Sequence, residues 1–268
     1  MPAYYNEIDS YCCEWLENLM AAGHIPMGWI DDRPIQRVSP EELANYTQCH
    51  FFAGIGGWAY ALRLSGWLAE RPVWTGSCPC QPFSAAGQRR GIDDERHLWP
   101  EFLRLIHLRR PSVVLGEQVA SRDGRRWLSG VQLDLEALGY AVGATDLCAA
   151  GVGAPHIRQR LYWVGSRMAD SYQTGRQSSA PVPREPTTGN TPTGQSEQLG
   201  PSGFWSGYDL LPCLDGKSRR VEPGTFPLAH GIPARMGKLR AYGNAIVPQV
   251  AAEFIKAYLW ADEGLTHV

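Results

Sequence analysis

Cys80 stands between two prolines, in Pro79-Cys80-Gln81-Pro82-Phe83-Ser84, just after the short apolar run Val73-Trp74-Thr75-Gly76. A cysteine held on so rigid a loop has few conformers, which suits a nucleophile that must meet one atom of a substrate. The competing reading is a buried structural thiol, the commonest state of a free cysteine. Glu117 ends another apolar run, Ser112-Val113-Val114-Leu115-Gly116. A carboxyl group at the end of a buried strand is costly without a task or a partner. His156-Ile157-Arg158-Gln159-Arg160 precedes the strand pattern Leu161-Tyr162-Trp163-Val164, and Arg158 and Arg160 there either form a solvated basic turn or fix an anionic or carbonyl-bearing substrate. Phe52-Ala53-Gly54-Ile55-Gly56-Gly57, about two dozen residues before Cys80, is a glycine-rich turn whose backbone amides can approach a ligand, or a plain tight turn.

The elements that must position these groups alternate. Residues 10–22 read as a helix with Ser10 as its N-cap, residues 40–46 as a short helix opened by Ser39-Pro40-Glu41-Glu42, and Cys49–Ala53 as a strand entering the glycine turn. A helix over 58–67, a strand over 73–76, a helix over 98–108 and the strand before Glu117 follow. A helix over 127–138, strands over 140–148 and 161–165, and a closing helix over 250–260 complete the pattern. Such alternation predicts an α/β chain with a doubly wound, mostly parallel sheet, whose chemistry gathers at the carboxyl ends of the strands.

The chain has 268 residues, 44% hydrophobic and 19% charged, with net charge -2, the composition of an ordinary globular protein. No apolar run reaches the length of a membrane span, and the amino terminus lacks a signal-peptide pattern, so a cytoplasmic protein is expected. Seven scattered cysteines argue against a disulfide framework, and Cys78-Pro79-Cys80 has no second Cys or His pair at zinc-like spacing, so no metal is expected. From 172 to 206 the chain is rich in Gly, Pro, Ser, Thr and Gln, a long loop or irregular insert, and order is expected to return at Phe204-Trp205 and Leu210-Leu211.

Taken together, these segments resemble the cytosine C5 DNA methyltransferases, of phage or prophage type. Phe52 to Gly57 is similar to the family's first S-adenosylmethionine motif, Pro79-Cys80-Gln81 to its catalytic motif, and Gly91-Ile92-Asp93 through Arg96-His97-Leu98-Trp99 to its catalytic loop. Glu117-Gln118-Val119 stands where the family has Glu-Asn-Val, Pro155 to Arg160 where it has Pro-Gln-x-Arg-x-Arg, and Gly243-Asn244-Ala245-Ile246-Val247 resembles its last motif. The resemblance implies a Rossmann-like methyltransferase fold with a small irregular target-recognition region, divided as 1–166 catalytic, 167–235 recognition and 236–268 catalytic again. It implies Cys80, Glu117, Arg158 and Arg160 as catalytic groups, and Gln81, Ser84, Arg89, Arg90 and Gln118 as substrate contacts. Phe52, Gly54, Gly56, Gly57 and Asn244 would hold S-adenosylmethionine, and the protein would act as a monomer on a cytosine flipped out of duplex DNA.

Two cofactor motifs have no room in residues 58–78. Tyr4-Tyr5-Asn6-Glu7-Ile8-Asp9 resembles one and Met27-Gly28-Trp29-Ile30-Asp31-Asp32 the other, which implies that they have moved ahead of the glycine turn and that the strand order is rearranged. Glu7 would then bind the ribose, Ile8 would pack on the adenine, and Asp32 or Asp31 would accept from its amine. The competing reading makes residues 1–48 an unrelated helical appendage. His50 stands where an Asp often precedes the turn, and Gln118 where an Asn is usual. Basic spots at Lys217-Ser218-Arg219-Arg220, Arg235 to Arg240 and Gln88-Arg89-Arg90 favour DNA. The rival readings are an RNA (tRNA) cytosine methyltransferase, an inactive DNA-binding module of the same fold, and a folate-dependent one-carbon transfer to C5.

Overall fold

The computed structural model describes residues 2–79, 98–167, 209–212, 218–221 and 243–266. Seven strands form one sheet: β1 (Ala3–Asn6), β2 (Gly28–Asp31), β3 (Gln48–Phe51), β4 (Val73–Gly76), β5 (Val113–Val119), β6 (Tyr140–Cys148) and β7 (Gln159–Arg167). Their spatial order is β2-β1-β3-β4-β5-β7-β6. The first five run parallel, while β7 lies antiparallel between β5 and β6. Strands β8 (Asp209–Pro212) and β9 (Ser218–Val221) pair antiparallel as a separate small sheet, so the expected order at Leu210-Leu211 is present, while Phe204-Trp205 lies outside the described residues.

Helices cover both faces, which is why all four residues of β1, of β3 and of β4 are buried. On one face α3 (Trp99–Arg109) and α4 (Arg122–Ala137) share an apolar cluster with Tyr4, Phe51 and Trp74. On the other, α1 (Ser10–Ala21), α2 (Gly57–Ser65) and the closing helix α5 (Pro248–Thr266) pack around Tyr5, Ala59, Trp58 and Ile255. Residues 243–266 therefore return to the main sheet.

The amino-terminal segment is part of this sheet and not an appendage. Strand β1 pairs with β3 on one side and β2 on the other, and the chain reaches β3 from the edge strand β2 by passing over β1. Ile35, Val38 and Leu43 of that crossover are buried in the cluster that holds Phe102 and Leu105. The helix expected over 40–46 is only a 3-10 turn, Glu41–Leu43, after a similar turn at Ile35–Arg37. Glu42 turns its carboxylate back to the Ser39 amide and to Arg33, and one turn is too short to propagate as an α-helix.

Other boundaries shift for local reasons. Asp9, not Ser10, caps α1, its carboxylate accepting from the Cys12 amide at 3.2 Å. Helix α4 begins at Arg122, because Ser121 accepts from the Gly124 amide and starts it a turn ahead of the apolar pattern. Strand β5 continues to Val119, so Glu117 lies within it and not beyond its end, and β7 begins at Gln159, so Arg160 is a strand residue.

Candidate active site

The glycine turn leaves β3 through backbone that few side chains allow: Phe52, Gly54 and Gly56 have φ of 52°, 55° and 78°. Gly56 occupies the N-cap of α2 and brings no side-chain cap, so the first amides of that helix stay open to an anionic group. The Glu7 carboxylate, one residue past β1, accepts from the Gly54 amide at 2.7 Å and from the Asp9 amide at 2.9 Å. Both oxygens keep lone pairs for hydroxyl donors. Ile8 beside it is 65% exposed, an apolar surface at the rim of the turn. A carboxylate, an exposed apolar side chain and an uncapped helix start at one sheet edge fit a nucleoside with an anionic tail.

At the end of β2 the two acids differ. Asp31 is buried, and its carboxylate accepts from the Tyr4 hydroxyl at 2.7 Å and from Arg33 through the backbone amide, Nε and Nη2. Burial acts to raise its pKa, yet those hydrogen bonds hold it below the ordinary carboxylate range. Asp32 is exposed and, with Trp29, Glu42 and Tyr46, lines an open cleft along β2. Asp31 lines the same cleft, but its carboxylate is engaged by Tyr4 and Arg33, whereas Asp32 is exposed.

Glu117 is buried in β5, and its carboxylate pairs with Arg160 Nε at 2.8 Å. Burial pushes its pKa up to about 7, with Arg160 and Arg158 pulling it partly back. Burial thus favours its protonated form and the arginines its charged form, so the carboxyl can hold a proton or give it up. Arg160 lies opposite Val119 and two residues before Tyr162, which faces Glu117. Arg158 does not reach the carboxylate; its Nη2 donates to the carbonyls of Gly243 at 2.9 Å and Ala245 at 2.7 Å. Asn244, between those carbonyls, is exposed. Gln118 is buried and turns its amide oxygen onto the Val119 amide at 2.9 Å.

Cys80, Gln81, Ser84, Arg89 and Arg90 lie outside the described residues, as do Lys217 and the cluster from Arg235 to Arg240. The described chain approaches Cys80 along β4, where Thr75 is level with Leu115, so Ser77 comes level with Glu117. Ser77 accepts from the Trp58 indole at 3.0 Å, which ties this exit to α2. The neighbouring Cys78 is buried, and burial raises its thiol pKa well above the ordinary value, so it stays protonated. His50, in place of an acid, stacks on Tyr5 with ring centroids 5.0 Å apart and shares a 2.8 Å hydrogen bond with Thr75; burial pushes its pKa down to about 3. The Thr75 hydroxyl serves its Nδ1, while Nε2 is buried with no hydrogen-bond partner among the described residues.

Sheet order and edge geometry together define an α/β chain with a doubly wound, mostly parallel sheet whose candidate site gathers at the carboxyl ends of its strands. Residues 70–199 match the family model for the C-5 cytosine-specific DNA methylases. Two curated relatives are similar to it. Type II methyltransferase M1.ScrFI of Lactococcus lactis subsp. cremoris is 33% identical over 128 residues, 46% of this chain and 33% of its own length. Type II methyltransferase M.PspPI of Psychrobacter sp. is 31% identical over 175 residues, 49% of this chain and 42% of its own. The chain thus spans well under half the length of both. A solved DNMT2 variant from Spodoptera frugiperda aligns at TM-score 0.43 and 17% identity, over 68% of this chain and 48% of its own.

Proposed function

We propose that the protein transfers a methyl group from S-adenosylmethionine to C5 of a cytosine flipped out of duplex DNA, with Cys80 as the nucleophile. The observation that carries this reading is Glu117: a buried carboxyl with its pKa near neutrality, paired to Arg160 at 2.8 Å, on the strand beside the one that leads into Cys80. As the Cys80 thiolate adds to C6, Glu117 gives its proton to N3, which makes C5 electron-rich. S-adenosylmethionine, when bound, supplies the methyl group to C5. A base then takes the C5 proton, the Cys80–C6 bond breaks, and the N3 proton returns to Glu117. Arg160 keeps the carboxyl aimed at the base throughout.

For the cofactor, Glu7 would hold the ribose hydroxyls, Ile8 would cover the adenine, Asp32 would accept from its amine, and Phe52, Gly54, Gly56, Gly57 and Asn244 would surround the rest. The order β2-β1-β3 and the Glu7–Gly54 hydrogen bond support a displaced segment, in which residues 4–32 supply ahead of the turn the two strands that normally follow it. We propose a cytoplasmic monomer with residues 167–235 as its DNA-reading part; no described helix is long and apolar enough to cross a membrane.

The test is incubation with labelled S-adenosylmethionine and either duplex DNA or tRNA, together with trapping on duplex DNA that carries 5-fluorocytosine. Label in DNA and a covalent adduct lost in Cys80→Ser are expected. Label in tRNA alone would overturn the choice of substrate, and no adduct at saturating cofactor would favour an inactive DNA-binding module.

A further inference from the structure

Arg158 and Arg160 are alternate residues of one extended segment, and the fold sends their guanidinium groups to different partners. Arg160 takes the Glu117 carboxylate. Arg158, half-buried, spends Nη2 on two backbone carbonyls 85 and 87 positions away, those of Gly243 and Ala245. The next residue, Ile246, is buried, and a Cβ on Gly57 would lie 2.8 Å from its Cγ1, so this loop rests on the first residue of α2. Val247 then accepts from the Ala251 amide at 3.1 Å in the first turn of α5. Asn244, between the two carbonyls and exposed, belongs to the loop that Ile246 anchors on Gly57.

We propose that Arg158 is a positioning residue for the cofactor pocket and not a contact to the target base: it locks residues 243–246 against the glycine turn. A guanidinium suits this work because the two N–H groups of Nη2 can each meet a carbonyl while the delocalised charge is kept when half-buried. Among the described residues its Nε has no partner, so the two carbonyls are the hydrogen-bond partners that hold it. The lock also couples the two halves of the site, since Arg158 leaves the same segment as the arginine that holds Glu117.

The inference rests on the reading of the glycine turn as the S-adenosylmethionine site, and its test separates the two. Equilibrium binding of S-adenosylmethionine to the full chain without DNA is expected to weaken roughly tenfold or more in Arg158→Ala, the loss of two charge-assisted hydrogen bonds. Arg158→Lys keeps the charge and enough donors but loses the planar group that fixes their direction, and should fall between. In turnover the KM for S-adenosylmethionine should rise by a larger factor than kcat falls. Ile246→Ala loosens the same loop without touching an arginine and should weaken binding in the same direction, which keeps the test open if Arg158→Ala does not fold. Hydrogen exchange at residues 243–247 should quicken in Arg158→Ala with no ligand present. Unchanged cofactor binding and unchanged exchange, with loss of the 5-fluorocytosine adduct, would overturn the proposal and return Arg158 to the base. No binding by the wild-type protein would overturn the cofactor site, and exchange would still decide whether Arg158 locks the loop.

Discussion

Glu7 and Gly54 stand 47 positions apart in the chain and 2.7 Å apart in space, the Gly54 amide donating to the Glu7 carboxylate. This one hydrogen bond joins the amino-terminal segment to the turn that leaves β3, and it holds Gly54 in its left-handed conformation with an acid at the rim.

Glu7→Ala should therefore weaken S-adenosylmethionine binding by roughly tenfold to a hundredfold, because ribose hydroxyls lose a charged acceptor. Glu7→Gln keeps an acceptor for the Gly54 amide and should retain more affinity. Calorimetric titration of both variants checks the order; equal affinity for wild type and Glu7→Ala would remove the ribose role.

The two acids at the end of β2 should separate in experiment. Asp31→Ala leaves the Tyr4 hydroxyl without its acceptor and frees Arg33, costing about 1–3 kcal/mol of stability in urea unfolding. Asp32→Ala should leave the unfolding midpoint unchanged and weaken cofactor binding. The opposite pattern would reassign the adenine contact to Asp31.

Stability should respond to pH in two opposed ways. Glu117 has a folded pKa raised by burial from 4.5 to about 7, so the folded state binds its proton more tightly than the unfolded chain does. Its contribution is fully present below the unfolded value and is lost as pH rises towards about 7, at a slope of at most about 1.4 kcal/mol per pH unit. The stability of Glu117→Gln minus that of wild type should therefore climb across this window and level off above it. His50 is the reverse case: burial lowers its pKa from 6.5 to about 3, so its contribution is present above the unfolded value and fades as pH falls between these limits. His50→Asn, which cannot gain the proton, should lose less stability on acidification than wild type; parallel pH curves would contradict the buried neutral ring.

Gly57→Ala should destabilise by about 1–3 kcal/mol, since the added methyl meets Ile246 Cγ1 at 2.8 Å. Combining it with Ile246→Ala should cost less than the sum of the two single changes, because the second removes the atom that the first displaces. Strict additivity in thermal or urea unfolding would show that the two sites do not touch.

Much of this architecture is legible in the chain. The apolar runs of β4, β5 and β7 and the helical spacing of α1, α3, α4 and α5 are near-neighbour patterns, and each element appears where the residue types put it, although α4 begins five residues earlier and α5 ends six residues later than expected. Where reading falls short, a side chain makes an unexpected local bond, as where Asp9 takes the cap from Ser10, or an expected start does not propagate, as where Glu42 meets the Ser39 amide and only a 3-10 turn follows. The roles of Tyr4 and Ile246 leave no local trace, because each depends on a partner far along the chain, Asp31 for Tyr4 and Gly57 for Ile246.

The sequence by itself determined the chemical groups: a cysteine between prolines, an acid in an apolar run, two arginines at alternate positions and a glycine turn before a helix. Only the tertiary structure decided their assignments. It set Glu7 on Gly54, buried Asp31 and left Asp32 free, and gave Arg160 to Glu117 and Arg158 to the Gly243–Ala245 carbonyls. The physical reason is that residue type and spacing report what a side chain can do and which face it shares, whereas partners are selected by sheet order. In this chain that order places β1, the first strand in sequence, between β2 and β3.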